Sequence, residues 1–172
     1  MQKLLLLLSI TLSLSAQVLI SPIDAMQKNY DINATVTKKN VLLSNDKFTN
    51  IQKNAKVKLT TKIYRIFTAT KDGEILGYGV LVNRKVRSKN AVILYLIQDS
   101  VLQGIEIIAF NEPLEYVPTK KWNAQFMNVK TDTMLQLNRD IPSISGATMS
   151  ARSVTDGSRI AFALYNELLK DK

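Results

Sequence analysis

Ser143-Ile144-Ser145-Gly146-Ala147-Thr148-Met149-Ser150 is the stretch whose residue types and spacing best suit chemistry. It stands just ahead of a helical period running from Ser150 to Leu169, with Val154, Ala161, Leu164 and Leu168 on one face. The first turn of a helix leaves backbone N–H groups without intrahelical partners, and its dipole puts partial positive charge there. Gly146 and Ala147 let a ligand come close to the backbone. Such a place suits an anion, and phosphate is its usual occupant. The plainer reading is a Ser-rich loop with an N-cap at Ser150, which explains the serines but not the whole arrangement.

Composition narrows what else the chain can do. It has no Cys and no His, which excludes thiolate nucleophiles, disulfides, Ser-His-Asp triads and His-based zinc sites. Any redox chemistry must come from something the protein carries. At 172 residues and 46% hydrophobic, the sequence has the size and apolar content of one domain with a true core. The net charge of +9 favours anionic partners.

The elements that would hold the stretch in place follow from the pattern. Residues 17–43 read as an extended lead-in, and Ser44-Asn45-Asp46 starts a short helix with Phe48, Ile51 and Ala55 on one face. Alternation over 60–70 predicts a strand, Lys71-Asp72-Gly73-Glu74 a hairpin, and 75–82 the return strand. The apolar run Ala91 to Ile97 predicts a strand covered on both faces, followed by a turn at Gln98-Asp99-Ser100 and a strand over 102–110. A helix is expected around Trp122, Phe126 and Met127, and 128–149 reads as loop. The fold class is therefore α+β: a mostly antiparallel sheet with flanking helices and a C-terminal helix.

Ser145-Gly146-Ala147-Thr148-Met149-Ser150 resembles the S-G-A-T-x-T/S signature of the FMN-binding domain family. That domain is found in the C subunit of Na+-translocating NADH:quinone reductase and the G subunit of Rnf complexes. The resemblance extends over about residues 76–169, through Gly77-Tyr78-Gly79 and a stretch, Asn111-Glu112-Pro113, similar to the family's N-E-T-P-G. It implies FMN joined as a phosphoester to Thr148 by a flavin transferase. Ser145, Gly146, Ala147 and Ser150 would shape the binding turn, and Glu112 would lie near the isoalloxazine ring. The transferase's preferred pattern, D-x-x-S/T-G-A-T/S, has Pro142 at its Asp position here, with Asp140 two residues earlier. Arg152 is a candidate for the phosphate, and Tyr78, Trp122 and Phe126 are candidates to stack on the ring, each with a solvated or core role as the plainer alternative.

Residues 1–16, with Lys3 followed by an apolar run from Leu4 and small residues at Ser15-Ala16, read as a secretory signal peptide. The expected organisation is signal peptide 1–16, N-terminal lead-in and short helix 17–59, and FMN-binding domain 60–172. The implied protein is periplasmic or otherwise extracytoplasmic, with peripheral membrane contact and redox partner proteins. The basic run Arg84 to Lys89 suits an acidic redox partner or anionic lipid better than nucleic acid, which an exported protein seldom meets. Three functions fit: an exported FMN carrier relaying electrons, a flavin-free basic accessory module, and a flavin reductase with a small-molecule acceptor.

Overall fold

Strands β1 (Thr35–Leu42), β2 (Ile63–Lys71), β3 (Glu74–Lys85), β4 (Asn90–Gln98), β5 (Val101–Phe110) and β6 (Val129–Lys130) form one six-stranded sheet in chain order. Every neighbouring pair is antiparallel. The computed structural model describes residues 18–170, so the signal peptide expected over 1–16 lies outside the described residues. The tight connections follow from local chemistry. Asp72 and Gly73 both take positive φ (52° and 84°), which matches the twist of a two-residue hairpin. Asp99 and Ser100 make the same kind of turn between β4 and β5, at φ of 51° and 62°, without a glycine.

The run Ala91 to Ile97 is covered on both faces, as its composition predicts. Side chains alternate along a strand. Ile93, Tyr95 and Ile97 therefore join the core beneath α2 (Asn45–Ala55) and α4 (Thr148–Leu168), while Leu94 and Leu96 join a second cluster beneath α1 (Pro22–Asn29). Gly77 and Gly79 make room for α1. A β-carbon at Gly77 would stand 2.5 Å from the Tyr30 ring, and one at Gly79 would stand 2.5 Å from the Met26 sulfur. The Tyr30 hydroxyl lies 3.0 Å from the carbonyls of both Tyr78 and Ile97, stitching α1 to β3 and β4.

The antiparallel sheet with a C-terminal helix agrees with the α+β expectation. Four local details differ. Residues 17–43 hold α1 and β1 rather than extended chain throughout. Ser21 caps α1 by accepting the Asp24 N–H at 3.1 Å, with Pro22 in the first turn. The helix expected near Trp122 is a four-residue α3 (Lys120–Asn123) continued by a 3₁₀ turn, Ala124–Phe126. The stretch 128–149 contains β6, and α4 begins at Thr148 rather than Ser150. No helix among the described residues is long and apolar enough to cross a membrane.

Candidate functional site

The N-terminus of α4 opens into a cleft of about 260 Å³. Gly146 and Ala147 from the turn, and Thr148, Met149 and Ser150 from the helix, form one side. The turn closes through the Ala147 N–H, which donates to the Ile144 carbonyl at 3.0 Å. Gly146 sits at φ +77°, where an L side chain is strained, although a β-carbon there would meet nothing within 4 Å. The glycine is needed for its backbone angle, not for space. Ala147 is the N-cap and offers no side-chain hydrogen bond, so the first-turn N–H groups keep their donor capacity.

Two hydroxyls complete this side. Thr148 is exposed, and its Oγ1 lies 3.5 Å from the Ile144 carbonyl, at the limit of a hydrogen bond. Ser150 is only 2% exposed, and its Oγ has no hydrogen-bond partner. A buried hydroxyl without a partner costs about 1–3 kcal/mol, and Ser150 is among the residues that line the cleft.

Glu112 forms the opposite wall with Val86, Arg87 and Tyr116. Its Oε1 accepts the backbone N–H groups of Arg87 (3.1 Å), Ser88 (2.5 Å) and Lys89 (2.7 Å) at the tip of the β3–β4 hairpin. The Ser88 hydroxyl donates at 3.2 Å to each carboxylate oxygen. These donors, the Lys89 N–H foremost, favour the ionised form and hold the Glu112 carboxyl below its ordinary value. Glu112 thus organises the loop that walls the cleft, and Oε2 keeps spare acceptor capacity.

The fold therefore brings Glu112, Gly146, Ala147, Thr148 and Ser150 to one cleft although 33 positions separate Asn111-Glu112-Pro113 from Gly146 at its nearest. Ser145 is exposed in the preceding turn and is not part of the cleft wall. Arg152 is exposed and stands outside the lining, whereas Arg87 is in it. Tyr78 packs edge-on against Tyr165 at 5.9 Å, and Trp122 against Phe126 at 5.2 Å, so these aromatics are core. Tyr116 is the aromatic at the cleft. Trp122 still serves the site, because its Nε1 donates to the Pro142 carbonyl at 3.0 Å and anchors the chain ahead of the signature. Asp140 is engaged locally, accepting the Gln136 N–H at 2.8 Å and pairing with Arg139 at 3.2 Å. Sequence reasoning missed Arg87 and Tyr116 as individual residues. The basic run contained Arg87, but nothing in it marked which cation would face the signature. Among the described residues no group of three or more Cys, His, Asp or Glu could hold a metal ion.

The G subunit of the Na(+)-translocating ferredoxin:NAD(+) oxidoreductase complex of Acetobacterium woodii is 26% identical to this chain over 121 residues, covering 63% of the chain and 58% of that subunit. The chain thus spans less than two thirds of that relative. In fold it is similar to the crystal structure of NqrC from Shewanella oneidensis, with a TM-score of 0.52 and 16% identity over 81% of each chain. Both proteins are of the FMN-binding family whose signature this chain resembles. No family model matches the chain. The likeness lies in the sequence of the G-subunit relative and in the shared fold of antiparallel sheet and C-terminal helix.

Proposed function

We propose that this chain is an exported, membrane-associated flavoprotein that carries FMN on Thr148 and relays electrons between redox partner proteins. The observation that carries the reading is the α4 N-terminus. An exposed threonine hydroxyl, first-turn N–H groups and the unpartnered buried Ser150 Oγ meet in one cleft. A phosphate ester fits that donor set: the N–H groups and the helix dipole favour its charge, and Ser150 Oγ gains an acceptor. When bound, FMN supplies reversible electron uptake, which a chain without Cys or His has no other means to perform.

The chain's own residues attach, orient and shield. Thr148 Oγ1 becomes the bridging oxygen of the ester, and the small residues before it leave a transferase room to reach it. Trp122 holds the Pro142 backbone, fixing the approach to the turn. Glu112 fixes the loop that brings Arg87 to the cleft, where a cation favours the phosphate or the reduced, anionic ring. Tyr116 presents an aromatic face on the same wall.

The test is intact-mass spectrometry of protein coexpressed with a flavin transferase. Wild type should gain the mass of one FMN less one water, mapped to the peptide containing Thr148. Thr148→Ala should lose the adduct and Thr148→Ser retain part of it, while Pro142→Asp should label at least as well as wild type. An unmodified wild type, or an adduct that survives in Thr148→Ala, rules out the covalent reading.

A further inference from the structure

A larger cavity, about 420 Å³, lies along β5 and shares no residue with the signature cleft. Its floor is the outer edge of β5 over 103–107, and its sides come from Leu19-Ile20, α1 and the stretch 117–127. The strand edge is paired at both ends and open between them. β6 pairs only with Val101 and Leu102, and the Asn128 N–H donates to the Leu102 carbonyl at 2.8 Å. At the other end Val18 bridges Ala109, and the Leu19 N–H donates to the Ile108 carbonyl at 2.9 Å. Residues 103–107 have no strand partner on that side among the described residues.

The direction of the free groups follows from strand geometry. The Leu102 carbonyl points outward, and the bulge at Gln103, where Ile97 faces Leu102 but Leu96 faces Gly104, shifts the alternation by one residue, so Ile105 and Ile107 turn their backbone groups toward the cavity. An open edge of this kind is a template for another strand. A second observation is independent of the backbone. Asn123 lines the cavity, is 8% exposed, and its side-chain Oδ1 is buried with no hydrogen-bond partner. Lys28 and Lys120 stand on opposite sides. Lys28 pairs with Glu106 at 3.1 Å, whereas Lys120 has no ion-pair partner among the described residues.

We infer that the open edge of β5 is a docking slot for an extended, acidic segment of a partner protein, which adds a strand between β6 and Val18. Five residues span about 17 Å of strand, the length of the gap. The incoming main chain pairs with Ile105 and Ile107, and alternate side chains enter the cavity beside Gly104, Glu106 and Met127. An N–H of the segment meets Asn123 Oδ1. A carboxylate reaches Lys120, in keeping with the basic balance of the chain. The inference does not depend on flavin.

The probe is the acetylated, amidated pentapeptide Glu-Val-Glu-Val-Glu, titrated into the 15N-labelled protein over residues 17–172. Amide resonances of Ile105 and Ile107 should shift, and their hydrogen exchange should slow at least tenfold at saturation. The same peptide methylated on alternate backbone nitrogens should bind at least tenfold more weakly, since it cannot complete the ladder. Replacing its glutamates by lysine should weaken binding by a similar factor. Ala124→Trp narrows the cavity from an exposed position and should abolish the shifts while the spectrum of the rest of the fold is kept. Absence of shifts at 103–107 with millimolar peptide overturns the proposal. So does equal binding of the methylated peptide, or shifts confined to lysine side chains. Flavin loading in Ala124→Trp should equal wild type, so failure here and failure of the flavin reading are separately visible.

Discussion

The Tyr95 hydroxyl occupies the space that a β-carbon on Gly157 would need, and from there donates to the Val154 carbonyl at 2.9 Å. A glycine in the middle of a long helix is ordinarily a weakness of about 0.5–1 kcal/mol relative to alanine. Here it lets α4 lie against the sheet with a buried tyrosine hydroxyl satisfied by helix backbone.

Gly157→Ala should therefore destabilise the protein, by about 1–3 kcal/mol from overpacking, in spite of alanine's better helix propensity. Tyr95→Phe removes the obstructing oxygen, so the alanine should cost much less in that background. Urea denaturation of the two single variants and the double variant measures the coupling. Additive effects would contradict this packing.

Glu112 gives stability a particular pH dependence. Its folded carboxyl is held below the ordinary value of 4.5, chiefly by the Lys89 N–H, so its contribution is complete above that value. It is lost as pH falls through the lowered folded value. Glu112→Gln should be less stable than wild type at neutral pH, and the gap should narrow on acidification below 4.5. Denaturation midpoints between neutral and acid pH check both signs.

Ser150→Ala should act in opposite directions on the apoprotein and on flavin loading. Removing a buried hydroxyl without a partner should leave the flavin-free protein unchanged or more stable by about 1 kcal/mol. The same change removes a donor to the proposed phosphate, so the yield of modified protein should fall. Thermal unfolding of apoprotein and intact mass after coexpression read the two effects separately.

Tyr30→Phe should cost about 0.5–1.5 kcal/mol by losing the hydrogen bond to the β3–β4 backbone. Burial holds the Tyr30 hydroxyl well above its usual pKa, so it stays protonated and donating throughout the working range. Hydrogen exchange should show the loss first in α1, which the Tyr30 hydroxyl ties to the β3 and β4 backbone.

Much of this architecture was legible because local signals agreed with the global fold. Asp72-Gly73 specified its hairpin through backbone angles, and the run from Ala91 to Ile97 required cover on both faces. β1 escaped notice because it is an edge strand with a mostly polar, exposed face, so hydrophobic alternation is nearly absent. α1 escaped because a helix of 8 residues spans barely two turns, too few for a period, though Ser21-Pro22 with Asp24 carried its cap. The signature itself was readable from residue types. Of its partners Glu112 was readable through Asn111-Glu112-Pro113, whereas Arg87 and Tyr116 were not, because they reach the cleft only through strand pairing and the chain that follows β5.

The sheet is a meander in which each strand lies beside its predecessor, and α4, the last element of the chain, packs across β3 and β4. Chains are synthesised from the N-terminus, so such a sheet can grow strand by strand as it appears, with little loop-closure entropy to overcome. The hydroxyl of Thr148 arrives near the end of that sequence, on a helix that has no platform until β3 and β4 have paired. A chain cut short before α4 presents no helix N-terminus for a phosphate, and a transferase that reads the turn in its folded form meets only finished molecules.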